Sequence, residues 1–282
     1  MKENSEWDLV VKAESSKFDL KFNEVWNYRD LLGLLVKRDF ISFYKQTILG
    51  PIWFFIQPLF TMGIYVFLFG TIGKFSTDSI PQPLFYLTGI VAWNYFSESL
   101  TKTATVFKDN AGIFGKVYFP RLIMPLSIVI SNLIRFGVQF LLLAIAIIYY
   151  VIKGYHFSPS IYILVFPFLI LLMAGQGLGL GMIVSAMTTK YRDLALLLTF
   201  SIQLLMYATT VVYPLSSITG SIRPFIEYNP MTPVIEGIRK GLFGQGSFDF
   251  YSLGYATAIT TIVLIAGTFI FNKVEKNFVD TV

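Results

Sequence analysis

Cysteine is missing from this 282-residue chain, so neither a disulfide framework nor a thiolate metal site can form. Histidine occurs once, at His156 beside Tyr155. A metal centre or a catalytic dyad needs partners that a lone histidine lacks, so a solvated loop residue is the expected reading. Charged residues are scarce, at 14%. Nucleotide-hydrolysing machinery is missing as well: GIFGKV at Gly112–Val117 lacks both the spacing of a phosphate loop and the Ser or Thr that would hold magnesium. There is no Gly-x-Ser-x-Gly elbow, no His-Glu-x-x-His pair and no Asp-x-Asp cluster. The chain is therefore not expected to be an enzyme. The first fifty residues hold no apolar run, which argues against a cleavable signal peptide and predicts a cytoplasmic N-terminus.

What is abundant is apolar surface. Apolar residues reach 55% and the mean hydropathy is +0.64, well above a soluble globular domain, so the chain reads as a membrane protein. Six stretches are apolar enough to span a hydrocarbon core of about 30 Å: Ile52–Ile72, Leu84–Leu100, Leu122–Ile152, Ile161–Met187, Leu194–Tyr213 and Tyr251–Phe271. The second carries Asn94, Ser97, Glu98 and Ser99, which must face protein or water. The third is long enough for a short helix before the span, with a break expected at Pro125. The predicted fold class is all-α, a polytopic membrane protein with six transmembrane helices.

Residues 1–24 mix charges of both signs without periodicity and read as a flexible cytoplasmic tail. Within 25–50, Leu32, Leu35, Val36, Phe40 and Phe43 share a helical face opposite Asp30, Lys37, Arg38 and Lys45. Such a helix lies in the headgroup plane with its bases near lipid phosphate, or else belongs to a soluble subdomain. Residues 51–282 form the membrane domain. With the N-terminus inside, twelve basic residues fall on cytoplasmic segments (Arg29, Lys37, Arg38, Lys45, Lys102, Lys108, Lys116, Arg121, Lys190, Arg192, Lys273, Lys276). Five fall outside (Lys74, Lys153, Arg223, Arg239, Lys240), which favours both termini in the cytoplasm.

Two segments interrupt the apolar pattern. Thr101–Arg121 sets Lys102, Lys108, Lys116 and Arg121 against Asp109 and interleaves them with Phe107, Ile113 and Phe114. That mixture suits a surface helix that docks on a partner, or a lipid-binding loop. Leu215–Phe250, punctuated by Pro224, Pro230 and Pro233, reads as two half-helices dipping into the outer leaflet, one with an apolar face of Ile235, Ile238 and Leu242. A plain extracytoplasmic loop is the alternative.

Gly175, Gly177, Gly179 and Gly181 are not a dinucleotide loop, because no strand precedes them; the 175/179 and 177/181 pairs are spacings that let another helix approach closely. Glu98 and Arg135 are the charges at membrane depth and should face the bundle interior or an interface. Aromatics make up 17% of the chain. Many serve as belt or lipid-facing residues. Rigid aromatic faces also suit a sugar conduit, since the apolar face of a pyranose stacks on them; Trp53, Tyr65, Trp93, Tyr95 and Tyr207 are the expected lining.

EVWNYRDLLGLLVKRDFISFYKQTILGPIWFFIQP at Glu24–Pro58 resembles the start of ABC-2 type permeases that export lipid-linked polysaccharide, the O-antigen and teichoic-acid group. GIVAWNYFSES at Gly89–Ser99, KVYFPR at Lys116–Arg121, KYRDL at Lys190–Leu194 and EYNPMTPVIEGIR at Glu227–Arg239 are similar to the same family in the same order. Phe43 departs from the family pattern, where a basic residue is common, and Arg135 stands where a neutral or acidic residue is expected.

The resemblance implies a homodimer in the bacterial inner membrane working with two copies of a separate ATP-binding subunit, which would hold the ATP and magnesium. This chain would carry no cofactor. Its cargo would be undecaprenyl-pyrophosphate-linked polysaccharide, and its other contacts membrane lipid but no nucleic acid. On this reading Phe107, Lys108, Asn110, Ile113, Phe114 and Lys116 in the 101–121 segment couple to the ATPase. Arg38, Lys45 and Arg121 contact the lipid pyrophosphate, ordinary positive-inside anchoring being the alternative. Leu215–Phe243 forms gate helices that carry Arg223, Glu227, Asn229, Pro230, Glu236 and Arg239. An ABC-2 drug or small-lipid exporter has the same architecture; a secondary transporter and a membrane glycosyltransferase are the readings from other classes.

Overall fold

The computed structural model describes residues 22–45, 48–114, 119–189, 191 and 193–278. Among these residues there is no strand. The chain runs through α1 (Phe22–Asn27), α2 (Arg29–Lys45), α3 (Trp53–Tyr65, continued by a π-helical turn over Val66–Ile72), α4 (Gln82–Ala104), α5 (Val106–Asp109) and α6 (Ala111–Phe114). It continues with α7 (Ile123–Ile152), α8 (Phe166–Thr188), α9 (Leu194–Tyr207), α10 (Arg223–Glu227), α11 (Thr232–Phe243) and α12 (Phe250–Phe278).

α4 is the axis of the bundle. Every residue from Leu84 to Trp93 is buried, so the helix is enclosed all round by α3, α7, α8, α9 and α11. This explains how it tolerates Asn94, Ser97 and Glu98: its neighbours are protein, and polar groups find partners there. α8 packs on α4 from one side and on α12 from the other. Two residues along a helix rotate the side chain by about 200° and four bring it back to the same face, so the alternating glycines of α8 serve two partners. A Cβ at Gly177 would stand 2.9 Å from Ser99 Cβ of α4, and one at Gly181 2.5 Å from Thr103 Cβ. At Gly179 it would stand 3.0 Å from the Leu264 nitrogen of α12, and at Gly267 2.5 Å from the Gly179 carbonyl oxygen.

Among the described residues four helical stretches are long and apolar enough to cross a membrane: Gly50–Ile72, Ile123–Ile152, Ile161–Thr188 and Phe250–Val274. The other two expected spans fall short for different reasons. α4 has the length but is diluted by its polar C-terminal half. α9 is apolar but has only 14 residues, about 21 Å. The break expected at Pro125 does not occur. α7 runs uninterrupted for 30 residues because Pro125 lies in its first turn, where the missing N–H has no intrahelical partner to lose.

A second apolar cluster sits at the N-terminal end of α7. Phe107 stacks on Phe271 of α12 at a centroid separation of 4.6 Å, Phe114 stacks on Phe119 at 5.8 Å, and Leu35 of α2 joins them. Thr188 at the end of α8 donates to the Ala104 carbonyl at the end of α4, 2.6 Å away. The short helices α5 and α6 are thereby fastened to the bundle.

Candidate functional site

α10 and α11 are started by prolines: Pro224 and Pro233 lie at the first positions, where fixed φ is pre-organised for a helix. α11 ends at Gly244, whose φ of 74° is the left-handed conformation that closes a helix. Ile235, Ile238 and Leu242 do face inward, but the burial extends round the whole helix, from Met231 to Arg239. At its centre Arg239 is 1% exposed and Glu236 0%. Arg239 Nη1 donates to the Thr210 carbonyl at 2.6 Å and to Glu236 Oε1 at 3.1 Å. Its Nη2 donates to the carbonyls of Val211 at 3.1 Å and Phe85 at 3.4 Å. Glu236 Oε2 accepts the Ser247 N–H at 2.9 Å. One ion pair thus ties α11 to α4, to the segment after α9 and to the loop that follows.

Asn229 fixes the turn between α10 and α11. Its Nδ2 donates to the Ala208 carbonyl at 3.0 Å and to Thr209 Oγ1 at 3.2 Å, and its Oδ1 accepts the Met231 N–H at 3.0 Å. Further on, Asp249 caps α12: its Oδ1 accepts the Ser252 N–H at 2.7 Å. Hydrogen bonds from Ser252 hold the Asp249 carboxyl below the usual carboxylate range.

A polar seam joins α4 to α7. Arg135 Nη1 meets Glu98 Oε2 at 2.8 Å, Lys102 Nζ approaches the same oxygen at 3.4 Å, and Arg135 also lies over the Phe54 ring of α3 at 5.7 Å. Asn94 Nδ2 reaches Gln139 Oε1 at 3.4 Å, and Asn132 Nδ2 reaches Ser99 Oγ at 3.3 Å. The two charges expected at membrane depth therefore face the bundle and each other. Beside the seam, Arg38, Lys102 and Arg135, with Asp39, Asp109 and Asn132, line a cleft of about 380 Å³ between α2, α4, α5 and α7.

The model of the ABC-2 type transporter matches residues 30–243. The chain belongs to the ABC-2 type transporter family. An O-antigen export system permease protein of Myxococcus xanthus is 29% identical over 262 residues, covering 92% of this chain and 98% of the relative. A protein of the same description from Klebsiella pneumoniae is 30% identical over 254 residues, covering 89% and 94%. A polysialic acid transport protein of Escherichia coli is 24% identical over 234 residues, covering 81% and 87%.

Within this ABC-2 chain the five expected lining aromatics do not form one surface. Tyr95 is buried and packs on Phe136 at 5.3 Å, Tyr65 donates to Met206 Sδ at 3.3 Å, and Trp53 and Tyr207 are exposed on different helices. Trp93 instead lines a cavity of about 530 Å³ with Phe96, Phe225, Tyr228 and Gln176. Of these, Gln176 had a legible signal, as a lone amide inside an apolar helix. Phe225 and Tyr228 had none beyond their aromatic type.

In the 101–121 segment, Phe107 and Phe114 are buried in the bundle, and Arg121, 9% exposed, lies over the Phe114 ring at 5.4 Å. Lys108 is exposed, Ile113 half-buried, and Asn110 Nδ2 donates to the Val106 carbonyl. The two buried rings hold the segment in place against the bundle. Lys116, Lys190 and Arg192 lie outside the described residues, as does the expected tail up to residue 21. Arg38 pairs with the adjacent Asp39 at 2.8 Å, and Lys45 is exposed at the end of α2. Arg223 and Glu227 form an exposed pair at 3.5 Å, and Pro230 accepts a hydrogen bond from Gln176.

Proposed function

We propose that this chain is the transmembrane subunit of an ATP-driven exporter that moves lipid-linked polysaccharide, such as undecaprenyl-pyrophosphate-linked O-antigen, across the bacterial inner membrane. One observation carries the reading: the relatives that match most of the chain are described as O-antigen export and polysialic acid transport proteins, and both cargoes are polysaccharides. The lack of a phosphate loop in the sequence supports an energy source on a second polypeptide.

On this reading α4 and α9 complete a set of six spans, α4 being shielded by protein rather than by its own composition. Two copies of the chain associate with two copies of an ATP-binding subunit, which holds the ATP and magnesium. Both termini face the cytoplasm. The partner contacts the exposed side of α5 and α6, where Lys108 and Ile113 lie, and Asn110 and Lys116 belong to the same segment. Phe107 transmits the push through its stacking on Phe271 of α12, and Phe114 through its packing on Phe107 and Phe119. α2 lies at the membrane surface. Its Arg38 and Lys45, with Arg121, offer charge-assisted hydrogen bonds to the pyrophosphate. Arg38 lines the cleft that also holds Lys102 and Arg135, together with the carboxylates of Asp39 and Asp109, so the cations outnumber the acids there by one. At the opposite end α10 and α11 form the gate, with Glu236 and Arg239 as its fixed root and Arg223, Glu227, Asn229 and Pro230 on its outer part.

Co-expression with the ATP-binding subunit from the neighbouring reading frame tests the proposal. The two chains are expected to co-purify, to hydrolyse ATP together, and to restore surface polysaccharide in cells lacking their own exporter. A chain that never co-purifies with an ATPase would overturn it. Ion-gradient-driven transport by the isolated chain would instead support a secondary transporter, and turnover of a sugar nucleotide a glycosyltransferase.

A further inference from the structure

Asn229 closes a long loop at its base. Its side chain holds the Ala208 carbonyl and the Thr209 hydroxyl, so that positions 21 apart in the sequence meet. Arg239 grips the carbonyls of Thr210 and Val211 just beyond, which fixes the base to the enclosed root of α11. The body of the loop is different. From Ser216 to Phe225 every residue is exposed except half-buried Ile218. Arg223 and Glu227 line a polar cleft of about 270 Å³ that parts the loop from Lys240, Asp249 and Ser252. A connection this long that carries only short helical turns is uncommon unless it works as a lid or a binding loop.

From Leu215 to Phe225 the loop makes one side-chain hydrogen bond to the first half of the chain. Ser216 Oγ lies 2.7 Å from Asp78 Oδ1 and 2.9 Å from Oδ2, its single proton shared between the two oxygens. Among the described residues no other side-chain hydrogen bond or ion pair joins 215–225 to another helix: Ser217 bonds to the nearby Pro214 carbonyl, and Arg223 pairs with Glu227 of its own helix. Asp78 belongs to a strained turn between α3 and α4. Lys74, Asp78 and Ser79 have φ of 51°, 49° and 65°, the left-handed region that residues with a Cβ rarely adopt. Such a conformation persists only where its surroundings hold it. Both sides of the turn are held: the Phe75 N–H donates to the Phe69 carbonyl at 2.9 Å, Thr77 Oγ1 donates to the Ile80 carbonyl at 2.7 Å, and Ile80 is buried. Ser216 adds the contact from outside.

We propose that Asp78 is the latch of this loop: its contact with Ser216 keeps the loop drawn against the α3–α4 turn, and export requires the two to part. The inference rests on the gate reading, in which this segment moves to release polysaccharide, and adds which contact restrains it. The chemistry suits a contact made and broken in every cycle. A hydrogen bond to a carboxylate is stronger than a neutral one, which gives the closed position a preference. Ser216 is exposed and Asp78 half-buried, so water takes over both groups when they separate and the net difference stays small. The Glu236 and Arg239 pair has no such exchange, because it is fully enclosed, and it stays as the base on which the loop moves.

The absence of cysteine supplies the test. Asp78→Cys with Ser216→Cys, in the complete exporter in cells lacking their own, is treated with a short bifunctional methanethiosulfonate, and joining is read as lost coupling to a maleimide-linked polymer. The joined chain is expected to keep its membrane level and its co-purification with the ATPase but to lower new surface polysaccharide at least tenfold. Reduction should restore it, and either single-cysteine chain should be unaffected. A second measurement needs no cross-link. Leu215→Cys, buried beside the latch, is labelled in spheroplasts with a membrane-impermeant maleimide; adding Ser216→Ala is expected to raise the rate about fivefold, and Ser216→Thr to leave it low. Undiminished export by the joined chain, failure of the two cysteines to join, or an unchanged labelling rate with Ser216→Ala would overturn the latch while sparing the export reading. Absence of surface polymer with the unaltered chain would overturn the export reading and the latch with it.

Discussion

The guanidinium carbon of Arg239 stands 3.5 Å from the ring centroid of Phe85, with the Glu236 carboxylate 3.1 Å from its Nη1. A cation this deeply enclosed is held by a ring face, a carboxylate and three carbonyls, and only a planar fork reaches all of them at once. Arg239→Met leaves the Glu236 charge buried without its partner and is expected to cost about 3–5 kcal/mol. Thermal unfolding in detergent or nanodiscs measures it. Arg239→Lys should recover little of the loss, whereas the double change Arg239→Met with Glu236→Gln should be milder than Arg239→Met alone.

The Glu98 and Arg135 pair makes a second prediction. Arg135 is nearly enclosed while Glu98 keeps a third of its side chain exposed, so removing the acid strands the more buried partner. Glu98→Gln is therefore expected to destabilise the chain by a few kcal/mol, and Glu98→Asp to recover part of it. A double-mutant cycle with Arg135→Gln should give a coupling energy above about 0.5 kcal/mol; strict additivity would show that the pair contributes nothing specific.

Helix crossing at α8 and α12 has no room for a side chain. Gly267→Val is expected to prevent assembly or to reduce membrane levels sharply, since its Cβ would meet the Gly179 carbonyl oxygen at 2.5 Å. Gly137→Ala is the control: nothing stands within 4 Å of its Cβ, so levels should be unchanged.

The α12 cap gives a pH dependence. The Asp249 carboxyl in the folded chain titrates below its unfolded value of about 3.9, so its stabilisation is present above that value and is lost as pH falls through the lower folded value. Asp249→Ala is expected to cost up to about 1 kcal/mol near neutrality. The unfolding curves of variant and parent should converge in strong acid; a constant offset would show that the carboxylate is not the cause.

Charge removal by Arg38→Gln or Lys45→Gln is expected to abolish polysaccharide export while leaving membrane level and co-purification with the ATPase intact. Full export in both variants would remove these residues from any role in holding the pyrophosphate.

By itself the sequence determined the helical class, the membrane setting, the ABC-2 resemblance and the close packing of α8, because all of these follow from local composition and spacing. Hydrophobic runs and small-residue intervals are properties of one helix. Tertiary structure decided the rest. Whether Phe107 faces a partner or Phe271, whether Trp93 shares a wall with Tyr228 or with Tyr95, and whether Arg239 meets water or three carbonyls depend on which helices enclose each residue. The same principle accounts for α4, which was legible as a span yet weak in composition: its burial is supplied by its neighbours, and no pattern within its own residues records them.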